Sequence, residues 1–122
     1  MPPIRVLLVD DEPMFLEALD ALLERDERVE VVAKTASGDS AIELADEARP
    51  DVALVDLAMP GTDGCETTRQ MIRRDPNIKV IVISGVSGEP AQEEAFAAGA
   101  KAFLLKGGLY GEVVDTIVDV MH

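Results

Sequence analysis

Five short apolar runs alternate with stretches of helical spacing along the chain, and this alternation most restricts its possible folds. The runs are rich in Val, Ile and Leu, and three are nearly continuous, as is typical of strands buried on both faces. They are Ile4–Val9, Val29–Ala33, Val52–Val55, Ile78–Ile83 and Ala102–Leu105. Strands alternating with helices predict an α/β fold, in which a doubly wound, five-stranded parallel sheet has helices on both faces.

Apolar residues recur at helical spacing in each interval between the runs. The first series comprises Phe15, Ala18, Leu19, Leu22 and Leu23. We predict that Asp11 caps this helix and that Pro13 lies in its first turn. The fourth helix is predicted to open at Pro90 and to stop at Gly99, and the fifth to run over residues 110–121.

Size and composition exclude several classes of protein. With 122 residues, 48% of them hydrophobic, the chain can bury the core of one domain, which we place at residues 1–122. A net charge of −13 argues against direct binding of nucleic acid by this segment. No apolar run is long enough for a membrane span or a signal peptide. The single cysteine, Cys65, fits a reducing compartment, so we expect a cytoplasmic protein without membrane contact.

Polar side chains follow four of the five runs. Asp10 and Asp11 follow the first run, Asp56 the third, Ser84 the fourth and Lys106 the fifth. The carboxyl ends of parallel strands share one edge of a sheet, where ligands bind in such folds. Clustered carboxylates repel one another unless a cation lies among them, and Mg²⁺ prefers carboxylates, water and substrate phosphate. We therefore predict a magnesium site in which Asp56 attacks a phosphoryl group, assisted by Lys106 and Ser84.

Each of these residues also has a plainer interpretation. Asp11 is equally well explained as a helix cap. Asp56 could be a turn former before Pro60-Gly61, although its position after a buried run disfavours this. Ser84 is by itself a common loop hydroxyl, and a single lysine such as Lys106 usually lies on the surface. The combination of suitable residue types at four strand ends favours the functional interpretation.

In combination and order, four stretches resemble the receiver (CheY-like) domain of two-component response regulators, across essentially the whole chain. The stretches are LLVDDEP, DVALVDLAMPGTDG, VIVISG and AFLLK. The resemblance implies a flavodoxin-like (βα)5 fold with strand order 2-1-3-4-5 and a receiver domain over residues 1–122. It implies a phosphorylation-controlled switch that phosphorylates and dephosphorylates only itself, and not an enzyme with an external substrate.

The resemblance also implies residue roles. Asp56 is the implied phosphoacceptor, which receives its phosphoryl group from a sensor histidine kinase. Mg²⁺ is implied to be bound by Asp11, Asp56 and the backbone carbonyl of Ala58, with Asp10 acting largely through water. Ser84 matches the switch hydroxyl, and Phe103 matches the aromatic residue that turns inward with it.

Phosphorylation is implied to bias the surface formed by the fourth strand, the helix after it and the fifth strand. A second copy of the chain, forming a homodimer on activation, is a further expected partner.

The family commonly has a cis proline after the lysine, whereas Lys106 is followed by Gly107-Gly108, for which we expect a trans bond and a looser loop. This departure resembles the subclass whose receiver precedes a LuxR/NarL-type DNA-binding domain, which implies transcription regulation by a domain absent from this chain.

Two other functions stay open at this point. The first is an interaction module that keeps the receiver fold but works without phosphorylation. The second is a phosphatase of the haloacid-dehalogenase type, which also uses a strand-end aspartate and Mg²⁺. Those enzymes have a second acid two residues after the nucleophile, where this chain has Ala58.

Overall fold

The computed structural model describes residues 2–59, 62–85 and 88–122, so the predicted turn at Pro60-Gly61 lies outside the described residues. The main-sheet strands are β1 (Ile4–Val9), β2 (Val29–Thr35), β3 (Val52–Asp56), β4 (Lys79–Ser84) and β5 (Ala102–Leu105). The α-helices are α1 (Pro13–Glu24), α2 (Gly38–Ala48), α3 (Gly64–Arg74), α4 (Glu89–Ala97) and α5 (Val113–Met121). The alternation of strands and helices predicted from the apolar runs is confirmed.

The five strands form one parallel sheet in the order β2-β1-β3-β4-β5. This confirms the order implied by the family resemblance. The order reverses direction between β1 and β3, which is where ligands bind in open parallel sheets. The carboxyl ends of β1 and β3 therefore lie beside each other at the predicted site. No helix among the described residues is both long and apolar enough to cross a bilayer.

Successive side chains of the central strands point to opposite faces of the sheet and pack into two separate halves of the core. One half packs against α1 and α5 and includes Val6, Leu8, Val52, Leu54, Ile81, Ile83 and Leu104. The other half packs against α2, α3 and α4 and includes Leu7, Val9, Ala53, Val55, Val80 and Val82. Because side chains alternate along a strand, Asp10, Asp56 and Lys106 continue the row on the α1 and α5 side. The pleat of the sheet therefore directs one ammonium group and two carboxylates to the same face.

Two helix starts differ from the sequence predictions. The predicted cap at Asp11 is wrong, since α1 begins at Pro13 and Glu12 occupies the capping position. The backbone N–H of Glu12 instead donates to Asp10 Oδ1 at 2.8 Å, which ties the start of the helix to the end of β1. The fifth helix begins at Val113, because residues 109–111 form a 3-10 turn that ends at Gly111, a poor helix former.

The end of the fourth helix follows its prediction closely. Helix α4 begins at Glu89, with Pro90 in its first turn, and Gly99 follows it with a positive φ of 111°.

A short antiparallel ribbon of residues 58–59 and 62–63, which the apolar pattern did not predict, joins β3 to α3. No cis peptide bond occurs in the described parts of the chain, in agreement with the trans bond expected after Lys106.

The start of α3 packs directly against the backbone that follows β3. A Cβ atom placed on Gly64 would lie only 2.2 Å from the carbonyl oxygen of Asp56 and 2.8 Å from the Cα of Leu57. The Gly64 N–H donates to the carbonyl oxygen of Leu57 at 3.1 Å, and Thr68 Oγ1 donates to the Gly64 carbonyl at 2.8 Å. This approach is possible only for glycine, and it immobilises the peptide that carries the Asp56 side chain.

We expect Gly64→Ala to lower the free energy of unfolding by more than about 2 kcal/mol, because the added methyl group overlaps backbone atoms that cannot move aside. The control is Gly111→Ala, whose added Cβ would meet nothing within 4 Å. It should change the free energy by about 0.5 kcal/mol or less. Urea denaturation followed by circular dichroism measures both variants. Equal stabilities would contradict the packing described for Gly64.

Candidate functional site

Three aspartates meet at the carboxyl end of the sheet. Asp10, Asp11 and Asp56 each offer a carboxylate oxygen, and these three oxygen atoms lie within 4.8 Å of one another. Asp10 is 1% exposed and Asp56 is 3% exposed, whereas Asp11 is partly buried. Val9 pairs with Val55 in the β1–β3 ladder, so the next residue on each strand is an aspartate, and the two emerge side by side. The predicted meeting of the acidic residues is confirmed.

Lys106 supplies a positive charge to this cluster. Its Nζ lies 2.9 Å from Asp10 Oδ2, 3.4 Å from Asp56 Oδ2 and 2.5 Å from Glu12 Oε1. The backbone N–H of Lys106 donates to the carbonyl oxygen of Ser84 at 2.9 Å, which anchors the residue at the end of β5. Burial lowers the pKa of the Lys106 ammonium, but its close contacts with the carboxylates of Glu12 and Asp10 outweigh this and raise the pKa above its ordinary value. Lys106 is therefore a permanent cation.

The remaining predicted residues lie around this centre. Ser84 is 3% exposed at the end of β4, one residue after Ile83, which pairs with Asp56. The Ala58 N–H donates to Asp56 Oδ1 at 3.3 Å. Phe103 is partly buried and packs against the core half on the α2, α3 and α4 side, away from the row of Lys106.

Two contacts of Lys106 were not predicted from the sequence. Glu12 contributes a carboxylate to Lys106, and the Phe15 ring centroid lies 4.7 Å from the Lys106 Nζ, a cation–π contact. The Phe15 ring also packs against Tyr110, with centroids 6.1 Å apart. The available signal was that Glu12 directly follows the acidic pair and that Phe15 lies one helical turn further on.

The electrostatics of the site favour an added cation. Burial, and next the negative charge of Asp10, raise the pKa of Asp56 to about 6, against the opposing effects of Lys106 and the Ala58 N–H. Asp10 Oδ2 is buried and, within the described residues, has its ion pair with Lys106 but no directional hydrogen bond. The ammonium group of Lys106 thus contacts Asp10, Glu12 and Asp56. Asp10, Asp11 and Asp56 form an acidic triad of hard oxygen donors, of the type that binds Mg²⁺.

Comparison with known proteins decides the family. Residues 6–117 match the family described as "Response regulator receiver domain". The chain belongs to this family. It is thus a phosphoacceptor domain of a two-component regulator and not a conventional enzyme.

Relatives of this receiver domain include transcription regulators. The chain is 36% identical over 117 residues to the response regulator GacA of Pseudomonas aeruginosa, covering 96% of this chain and 55% of GacA. It is 39% identical over 114 residues to the transcriptional regulatory protein LiaR of Bacillus subtilis, covering 93% of this chain and 54% of LiaR. The receiver domain thus spans about half the length of these curated relatives.

A solved structure gives the same family and subclass. A LuxR-family two-component response regulator from Aurantimonas sp. SI85-9A1 superposes on this receiver domain with a TM-score of 0.92 at 32% identity. The match covers 97% of this chain and 84% of that chain. The resemblance to LuxR/NarL-type regulators, suggested by the residues after Lys106, is therefore confirmed.

The raised pKa of Asp56 predicts how its charge affects stability. Its carboxyl binds a proton more tightly in the folded protein than in the unfolded chain, because the pKa rises from 3.8 to about 6. The resulting stabilisation is complete below about pH 4 and is lost as the pH rises through about 6. We expect Asp56→Asn to raise the free energy of unfolding in EDTA by about 1–3 kcal/mol at about pH 7.5, and far less at about pH 4.

Urea titrations of both proteins at the two pH values measure this difference. Added Mg²⁺ should stabilise the native sequence at about pH 7.5 more than it stabilises Asp56→Asn, because the substitution removes a negatively charged ligand. A difference in free energy that does not depend on pH would contradict the proposed burial of an unfavourable charge at Asp56.

Proposed function

We propose that Asp56 is the phosphoacceptor of this receiver domain, which extends over residues 1–122. The observation that carries the proposal is the position of its carboxylate, 3% exposed, among the oxygens of Asp10 and Asp11 and 3.4 Å from the Lys106 Nζ. A buried carboxylate in contact with a fixed ammonium group is suited to in-line attack on a phosphoryl group, because catalysis of this reaction depends mainly on positioning and charge neutralisation.

The phosphoryl donor in this proposal is a phosphohistidine of a sensor histidine kinase. A carboxylate oxygen of Asp56 forms a bond to phosphorus while the bond between phosphorus and the imidazole nitrogen breaks. The imidazole keeps the electron pair, and Asp56 becomes a 4-aspartylphosphate. Lys106 pairs with one phosphoryl oxygen, and the Ser84 hydroxyl donates to another after it moves towards the new group.

Mg²⁺ is the proposed cofactor. Asp11, Asp56 and the backbone carbonyl of Ala58 would hold it directly, and Asp10 would act largely through water. When bound, the ion neutralises charge on the carboxylates and on the transferred phosphoryl group. The close carboxylate oxygens and the insufficient positive charge of the site support this assignment.

The proposed output passes through β4, α4 and β5. The phosphorylated Asp56 draws Ser84 inward, and Phe103 on β5 follows it into the space that is vacated. Two exposed apolar side chains, Phe96 on α4 and Leu105 on β5, are 48% and 42% exposed and offer this surface a contact area. Its proposed partners are a second copy of the chain, which would form a homodimer on activation, and an output domain.

We further propose that the output is transcriptional control in the cytoplasm. The curated relatives are about twice as long as their matched region, which leaves room for a DNA-binding domain of the LuxR type. DNA binding is assigned to that domain and not to this segment, since its net charge is −13. The single buried cysteine is consistent with a reducing compartment.

Incubation with acetyl phosphate and Mg²⁺ tests the proposed phosphoacceptor. We expect intact-mass spectrometry to show one added phosphoryl group, which is absent with EDTA and absent in Asp56→Asn. The matched control is Asp119→Asn, which makes the same chemical change at an exposed residue of α5 and should be phosphorylated normally.

Each other result has a defined meaning. The absence of any adduct in the native sequence would favour an interaction module that works without phosphorylation. An undiminished adduct in Asp56→Asn would assign the chemistry to another residue. Steady hydrolysis of a generic phosphomonoester would favour the phosphatase that the sequence left open.

A further inference from the structure

The loop that follows Lys106 does not hold this residue in place. Gly107 and Gly108 are exposed, and a Cβ atom added to either would meet nothing within 4 Å. The Gly108 N–H donates to the carbonyl oxygen of Leu105 at 3.2 Å, but two consecutive glycines otherwise restrict the backbone very little. The side chain of Lys106 is nevertheless only 14% exposed and makes three ion pairs. The backbone N–H of Lys106 is anchored on Ser84, but the position of its ammonium group must be determined by the groups that surround it.

Two of these groups come from the start of α1. Glu12 is the capping residue of this helix and Phe15 lies three residues later, so both side chains can face the same neighbour. The Glu12 carboxylate contacts the Lys106 Nζ at 2.5 Å, and the Phe15 ring lies 4.7 Å from it. Phe15 is itself anchored, because it packs against the α1 and α5 half of the core and against the ring of Tyr110.

We propose that Glu12 and Phe15 are positioning residues for Lys106, and that they replace the constraint that its own glycine loop lacks. The catalytic consequence rests on the proposed function of Lys106 as the cation that meets the phosphoryl group. The Phe15 ring covers one side of the ammonium group, and the Glu12 carboxylate holds it at the rim of the acidic cluster. Lys106 thereby stays within reach of both Asp10 and Asp56.

Chemical labelling of Lys106 tests the positioning directly, in the absence of phosphate and metal. The protein is treated with an amine-acylating reagent in EDTA, and peptide mass spectrometry gives the modification rate of each lysine. We expect Glu12→Gln and Phe15→Leu to accelerate modification of Lys106 by about twofold to tenfold. Phe15→Tyr keeps the ring face and should restore the native rate. Lys79 and Lys101 serve as internal standards.

The matched control is Glu17→Gln, which removes the same charge from α1 at an exposed residue that faces Lys34. It should leave the modification rate of Lys106 unchanged. Equal Lys106 rates in the native protein, Glu12→Gln and Phe15→Leu would overturn the proposal. An effect of Glu17→Gln as large as that of Glu12→Gln would also overturn it, because a general change in charge would then explain the result.

Phosphorylation kinetics test whether the positioning matters for the reaction. We expect Glu12→Gln and Phe15→Leu to slow phosphorylation by acetyl phosphate by about twofold to tenfold. In a Lys106→Met background the same substitutions should have no further effect, because they act through the lysine. A full additional loss in that background would overturn the positioning role.

Metal binding gives a third readout that does not depend on turnover. Without Glu12, the ammonium group of Lys106 leaves the carboxylates of Asp10 and Asp56 more often and competes less with the metal, so the apparent affinity for Mg²⁺ should rise severalfold, but not in the Lys106→Met background. A change of the same size and sign in both backgrounds would show that Glu12 acts by its own charge and would overturn the proposal. Failure of Asp56 phosphorylation in the native protein would refute the proposed function alone, since the labelling result stands without it.

Discussion

The pocket at the carboxyl edge of the sheet contains more negative charge than its one ammonium group balances. The carboxylates of Asp10 and Asp56 are buried, and this burial, followed by the negative charge of Asp10, raises the pKa of Asp56 to about 6. Such an arrangement is costly for a folded protein, and it persists only because the surrounding core enforces it. The same imbalance makes the pocket favour an added divalent cation.

The parallel sheet is the element that holds these charged side chains together. The β1–β3 ladder brings the ends of the two strands into register, and the alternation of side chains directs Asp10, Asp56 and Lys106 to the α1 and α5 side. Ser84 and Phe103 belong to the alternate rows, whose neighbours pack against α2, α3 and α4. The charged centre and the proposed switch residues therefore start on opposite faces of one sheet, although they share its edge.

The sequence predicted those features that depend on local pattern. Apolar runs of strand length marked all five strands, and the polar residues after four of these runs identified the three aspartates, Ser84 and Lys106. The cap at Asp11 was predicted wrongly, because whether Asp10 or Asp11 contacts the start of α1 depends on side-chain direction and not on spacing. Glu12 and Phe15 were missed for a related reason: their contact joins α1 to the end of β5, and a periodic pattern describes only one helix at a time.

Because Gly64 packs against the peptide of Asp56, the backbone on the two sides of the site differs in how tightly it is packed. On the β3 side, the start of α3 packs so closely against the carbonyl oxygen of Asp56 that the backbone has no room to move towards the helix. On the far side, a Cβ atom added to Gly107 or Gly108 after β5 would meet nothing within 4 Å. The backbone at Asp56 is therefore the more rigid side of the pocket, and the backbone after Lys106 is the side with room to move.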